Sequence, residues 1–456
     1  MQHTFGPAKQ YSMNTKNDHP TAMTEKDNFS DRDPADTRTP PYTAIIIGGG
    51  PAGLFCACRA AGKDRRILVL EKMPSCGRKL CITGAGRCNL THTGTMADFV
   101  SHYGGDGGKF LRPALMNFKN TDLLAFFRER GIPFTADENG KYFPQRRHGK
   151  GCPLRLMAEC MRAGIEIRCG GESVQTIKPT NDLFTVSSED ATYTAEQVVL
   201  ATGGASYPAT GSTGDGYTLA DRLGLPVTET GPALAAVLIR DYPFRDLTGI
   251  SFDDVPLSLY RDSKKTRQVT GDIILTVNGI SGPPGALHIS RYVRPGDSLH
   301  VGFVTGTNEE SARKDLAAVI AGGKNRQVKT VLAETGIPIR FLIRLLELSG
   351  IPRDATCAHL TKTDRNTLIR YLTDFPFTVK GTEGYATAMA TRGGVARDAI
   401  RQKTMEAKEV PGLFCIGEVL DIDGGDTGGY NLQAAFSTAA LAAKAMVSGG
   451  KTNKKK

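Results

Sequence analysis

The chain contains no tryptophan, and aromatic residues make up only 7% of its 456 residues. It carries no RNP motif, so an RRM-type RNA-binding module is excluded. No apolar run approaches the roughly 20 residues that a membrane-spanning helix needs, and no basic-then-apolar signal pattern opens the chain. Ten cysteines are scattered without any Cys-x-x-Cys pair or Cys/His set at zinc spacing, so no metal site is expected. Reduced thiols and a cytoplasmic setting follow as expectations.

What the chain does contain is glycine, 52 of them, and several stand in patterns that a random Gly-rich turn does not produce. The run from Tyr42 through Ile47 is apolar and β-branched, and it stops at Gly48, Gly50 and Gly53, where a small-residue helix opens with Pro51 and Ala52. A second apolar run closes in Glu71, followed by Lys72. This is the βαβ dinucleotide fingerprint, Gly-x-Gly-x-x-Gly with an acid about twenty residues on. Gly48 permits the tight turn, Gly50 lets a phosphate reach the backbone, and Gly53 lets helix and strand pack closely. The helix start offers N–H groups and a positive dipole end to a diphosphate. Glu71 at the second strand's tip can accept from ribose hydroxyls.

The motif has an echo near the other end of the chain. An apolar run ends in Gly417-Glu418, and Gly428-Gly429-Tyr430-Asn431-Leu432 then opens an Ala-rich helix. A strand running into Thr202-Gly203, with Asp215 beyond it, is a further cue of the same kind. A nicotinamide dinucleotide held by one βαβ unit does not account for motifs at both ends. An extended flavin dinucleotide, FAD, does. No second Gly-x-Gly-x-x-Gly follows a strand, so NAD(P)H is expected only as a transient reductant.

The expected fold class is α/β: an FAD-binding Rossmann domain interrupted by one insertion, made of a small antiparallel β-domain and a helical piece. The expected divisions are a disordered leader over 1–41, the first part of the FAD domain over 42–227, a β-domain over 228–307 and a helical subdomain over 308–380. The second part of the FAD domain covers 381–449, with a basic tail over 450–456. The spacing of Leu115, Phe118, Leu123, Leu124 and Phe127 predicts helix from Leu111 to Gly131. The net charge of +10 suits an anionic cofactor or substrate and permits contact with RNA.

Two stretches carry a closer likeness: Gly77-Arg78-Lys79 through Gly84-Ala-Gly86-Arg87-Cys88-Asn89, and Gly417 through Gln433. With Thr391-Arg392-Gly393-Gly394, they resemble the YhiN/BaiN-type flavoprotein family (aminoacetone-oxidase-like, RdsA-related). The likeness runs from about residue 42 to 447, and Gly211 to Tyr217 is also similar to the fumarate-reductase flavoprotein lineage. One departure stands out, a residue or two added at Gly424-Gly-Asp426.

The resemblance implies a glutathione-reductase-like FAD-binding Rossmann domain, interrupted by an insertion made of a small antiparallel β-barrel and a helical cap, and a reaction at the flavin ring. That reaction is reduction of a conjugated C=C or a uracil-type ring by hydride from flavin N5, including one uridine of large-subunit rRNA. Oxidation of a small aminoketone with H2O2 release, or flavin carriage without turnover, are the alternatives. The substrate is thus a small molecule or rRNA, with no membrane and no stable protein partner implied. Arg78 and Lys79 are placed to neutralise diphosphate. Gly84, Gly86, Arg87 and Asn89 are placed along the flavin ring, and Gly394 brings backbone close to it. Arg87 can stabilise a reduced, anionic ring, and Cys88 beside it can deliver the proton; His148 and Tyr207 are other donors. Cys76 and Cys81 form either a redox pair or packing cysteines.

Overall fold

A computed structural model of the protein describes residues 40–145, 151–180, 182–304, 308–422 and 428–449. The leader (but for Pro40 and Pro41), the basic tail, His148 and the added residues Gly424–Asp426 lie outside the described residues.

The first strand, β1 (Tyr42–Ile47), is flanked on both sides by parallel neighbours, which explains why nearly every residue in it is apolar. One neighbour is β2 (Ile67–Glu71), reached through helix α1 (Pro51–Ala60). The other is the strand Thr192–Leu200, whose far edge pairs in parallel with Leu413–Cys415. Glu166–Cys169 extends the sheet beyond β2. The strand Thr192–Leu200 also continues an antiparallel meander with Val174–Thr180 and Leu183–Ser188. Helix α1 packs against the Ala-rich helix Tyr430–Gly449, whose small side chains let the two approach on one face of the sheet.

Between these halves, six antiparallel strands close a barrel in the order 237–239, 279–281, 264–275, 251–261, 298–301 and 375–382. The expected boundary at 380/381 therefore falls inside a strand. Phe375–Thr382 follows four helices in sequence yet completes the barrel, pairing with Ser298–Val301 and Val237–Ile239. Such a long-range pairing leaves no local trace. The helices Glu309–Gly322, Val328–Ala333, Ile339–Leu348 and Lys362–Thr373 share the barrel's core. At its centre Phe244 meets Phe341 at 5.0 Å, Phe375 at 5.1 Å and Phe303 at 5.9 Å between ring centroids. Phe244→Ala should cost about 3–5 kcal/mol, read as a lower denaturant midpoint.

The single helix expected from Leu111 to Gly131 is two: Gly105–Asn117 and Asn120–Arg128. The break falls at Phe118, whose backbone is extended, and the Asp122 carboxylate accepts the Lys119 N–H at 2.8 Å to restart the second helix. One antiparallel pair, Val227–Ala233 with Ala390–Val395, joins the sheet half to the barrel half. Among the described residues no helix is long and apolar enough to cross a membrane, and no group of metal-binding side chains occurs.

Candidate functional site

The parallel strands all run out at one edge of the sheet, and a cleft lies there. Ile47, Glu71, Ala201 and Ile416, from four strand ends, contribute to its wall. It holds about 1250 Å³ of empty space, including its open mouth.

The three glycines of the first turn differ in what requires them. A Cβ on Gly48 would lie 2.4 Å from the Ala201 carbonyl oxygen, and its φ of +110° is itself reserved for glycine. A Cβ on Gly53 would lie 1.9 Å from the Gly48 carbonyl oxygen. These two are required by the protein's own backbone. Gly50 is different: a Cβ there meets no protein atom within 4 Å, and φ is −76°. Gly50 faces the cleft with Pro51 and Ala52, at the start of α1, so the space before it is kept for something other than protein.

Glu71 lines the cleft and also secures the turn. Its carboxylate accepts the Gly49 N–H and the Met73 N–H, each at 2.8 Å. Burial pushes this carboxyl above the usual carboxylate range, and the two N–H donors only partly offset that. Next to it, Lys72 pairs with Asp215 and Thr213. Burial opposes ionisation of Asp215, but Lys72 and the Thr213 hydroxyl hold its carboxyl below the ordinary range. Arg78 and Lys79 lie on the short helix Arg78–Ile82, and Lys79 reaches Glu418 at 2.8 Å. The other Glu418 oxygen accepts the Thr391 N–H at 3.0 Å. Thus a strand from the far part of the chain and a helix from the near part meet at one carboxylate.

Gly417, Glu418, Asn431 and Leu432 line the same cleft as Gly48, Gly50, Arg78, Lys79, Thr202, Gly203 and Asp215. The two helix starts, α1 and Tyr430–Gly449, both open onto it. Sequence reasoning missed Ser75, Glu172, Ser173 and Ser212, which also line it. Ser75, Glu172 and Ser173 come from loops with no motif of their own, whereas Ser212 lies within the Gly211–Tyr217 stretch, of which only Asp215 was singled out.

Other expected positions lie elsewhere. Gly84, Gly86, Arg87, Cys88 and Asn89 form a turn that follows Thr83 of the cleft lining and are not themselves among the lining residues. Arg87 is exposed and lies over the Phe143 ring, 4.0 Å from its centroid. The Asn89 amide, turned to suit its surroundings, donates to the Thr91 carbonyl at 3.2 Å and accepts the Gly429 N–H at 3.3 Å. It thereby ties this turn to the second helix start. Gly429 and Gly394 are glycines for backbone reasons: a Cβ would come 2.7 Å from Thr91 Cα and 2.6 Å from the Val419 carbonyl oxygen, respectively. A Cβ on Gly428 would sit 3.0 Å from the His92 ring. Tyr430 is 4% exposed and lies among His92, Phe99, His102 and Tyr103, so its ring anchors the helix start.

Among the thiols, Cys76 meets Cys169, Sγ to Sγ at 3.5 Å, which is the packing alternative left open for it. Cys88 is 0% exposed, and a hydrogen bond with Cys152 together with burial raises its thiol well above the usual range. Cys88 thus has the surroundings of a packing thiol and is not among the residues that line the cleft. Cys88→Ala should therefore keep turnover within about threefold, whereas removal of a general acid costs about 10²–10⁴-fold; steady-state kinetics of flavin-loaded protein decides.

These features fit an elongated dinucleotide. The buried Thr202 hydroxyl and one Glu172 carboxylate oxygen have no partner among the described residues, and both residues line the cleft. An open space fronts the helix start at Gly50, and a cation at Lys79 is held beside it.

Residues 42–445 match the HI0933-like protein Rossmann domain. A ribosomal RNA dihydrouridine synthase of Haemophilus influenzae is 32% identical over 398 residues, 87% of this chain and 96% of that protein. One of Escherichia coli is 31% identical over 406 residues, covering 89% and 98%. A 3-dehydro-bile acid delta(4,6)-reductase of Clostridium scindens is 31% identical over 409 residues, covering 88% and 98%. With that match spanning both halves of the cleft, the chain belongs to the HI0933-like, YhiN/BaiN-type Rossmann family and is an FAD-dependent oxidoreductase.

Proposed function

We propose that this protein reduces a C=C bond conjugated to a carbonyl, with a uridine of large-subunit rRNA as its substrate and NAD(P)H as its electron source. The observation that carries this reading is the end-to-end similarity to two proteins named ribosomal RNA dihydrouridine synthase. The positive net charge of +10 favours a polyanionic substrate. Bound FAD supplies the hydride-transfer chemistry. The chain's own residues do the holding and orienting. The start of α1, with Gly50, Pro51 and Ala52, takes the diphosphate, and Lys79, steadied by Glu418, offsets its charge. Glu71 and Thr202 take polyol or ribose hydroxyls, and Asn431 and Leu432 at the second helix start face the ring.

The experiment is a comparison of 23S rRNA from a deletion strain and its complemented parent by mass spectrometry. Loss of one dihydrouridine on deletion, restored by the gene, is the expected result; identical rRNA in both strains would remove the reading. A second reading is favoured by the similarity to a bile acid reductase. In it the same hydride addition acts on a small enone, since a steroid 4,6-dien-3-one and a uracil ring both present C=C next to C=O. Anaerobic turnover of NAD(P)H with such a dienone, and unmodified rRNA, would select it.

A further inference from the structure

Five arginines from three separate stretches line a second concavity, on the barrel: Arg261, Arg267, Arg291, Arg294 and Arg392, with Tyr292 among them. Bringing like charges together costs energy unless an anion joins them. Within the group, Arg261 is neutralised by Asp297 through two hydrogen bonds at 2.9 and 2.8 Å. Arg392 reaches Glu229 at only 3.4 Å, and the Glu229 side chain is 77% exposed, so solvent weakens that pair. Arg267 and Arg294 are exposed, and no carboxylate pairs with either guanidinium among the described residues. Arg267 lies over the Tyr292 ring, 4.3 Å from its centroid, and the Arg291 guanidinium lies 5.5 Å from it. Planar cations beside an aromatic face suit a strand that presents phosphates and bases together.

The position of this concavity ties it to the cleft. Arg392 belongs to the strand Ala390–Val395, in which neighbouring side chains point to opposite faces. Thr391 is buried and its N–H meets Glu418 of the cleft, while Arg392 faces the arginine cluster. Met389, just before this strand, lines the cleft. One strand therefore has the cofactor cleft on one side and the arginines on the other.

We propose that the arginine concavity grips the phosphodiester backbone of RNA beside the target uridine. This rests on the rRNA reading above. Arg267 and Arg294 bind phosphates, and Tyr292 offers a stacking face. The test uses flavin-loaded protein and a labelled single-stranded RNA oligonucleotide, with wild type compared to Arg267→Glu/Arg294→Glu. Both sites are exposed, so the variant should keep its flavin and its rate of flavin reduction by NAD(P)H. RNA affinity should fall at least tenfold. The dependence of log affinity on log salt should flatten by roughly 0.7 for each phosphate that the variant no longer neutralises.

Equal affinity and slope in the two proteins would overturn the proposal, as would wild type that binds no RNA at low salt. A variant with intact RNA affinity but a raised KM for NADPH would reassign the concavity to a nicotinamide phosphate and overturn it too. Wild type that restores rRNA dihydrouridine, with a variant that restores it equally and binds RNA equally, sinks the docking site and leaves the rRNA reading standing. Wild type that restores none sinks the rRNA reading, and the oligonucleotide measurement then judges the arginines on their own.

Discussion

Gly50→Val should give a folded, soluble and nearly colourless protein. The substitution adds bulk only toward the cleft, since a Cβ there meets no protein atom within 4 Å and the backbone φ of −76° suits any residue. A branched side chain then fills the space before α1 and keeps a diphosphate from its N–H groups. Each charge-assisted hydrogen bond of that kind contributes about 1.5–3 kcal/mol. Losing two of them weakens FAD binding by roughly 10²–10⁴-fold. Flavin absorbance after reconstitution, beside the melting temperature of the apo form, measures both parts of the expectation. Gly48→Ala and Gly53→Ala are the controls, because their Cβ atoms would press on the Ala201 and Gly48 carbonyl oxygens at 2.4 and 1.9 Å. Those two should lose stability and flavin together. A yellow Gly50→Val protein with wild-type affinity would dissociate this turn from the cofactor.

Tyr430→Ala should be the most damaging change at the other helix start. The Tyr430 ring stacks on His102 at 4.0 Å and on His92 at 5.2 Å, and its hydroxyl shares a 2.9 Å hydrogen bond with His102 Nε2. The Tyr103 hydroxyl in turn donates to the Tyr430 carbonyl at 2.6 Å. Removing so large a buried ring costs about 3–5 kcal/mol. It also frees Gly429, Asn431 and Leu432 from a fixed path, so flavin affinity falls along with stability. Tyr430→Phe keeps the ring and should cost only about 1 kcal/mol. Flavin retention and thermal unfolding of the two variants separate an anchor from a direct cofactor contact. If Tyr430→Phe lost flavin while keeping its melting temperature, the hydroxyl would be acting in the cleft.

The strand–turn–helix at Gly48–Gly53 was readable because its parts are adjacent in sequence, even though the carbonyl that crowds Gly48 comes from Ala201. The end of the strand Thr192–Leu200, read as Glu196 to Ala201, and the strand Leu413–Cys415 were readable as runs that end near glycine. Where reading stopped, the cause is tertiary. Cys88 sits beside Arg87 in sequence, yet its neighbour in space is Cys152. Gly394 was expected along the ring, and nothing in the sequence announced how closely the Val419 carbonyl approaches it. The strand Phe375–Thr382 joins partners that lie before four helices, and nothing near it announces that. The arginines at 267, 291, 294 and 392 form no motif, because three separate elements bring them together.

Ala233 and Ala390 are direct partners in the ladder from which the inserted portion departs. The segment from 234 to 389 thus departs and returns at adjoining points. Such an arrangement lets evolution exchange the entire inserted portion for another without moving the coenzyme-holding framework, so new targets can be acquired while the electron chemistry is inherited unchanged.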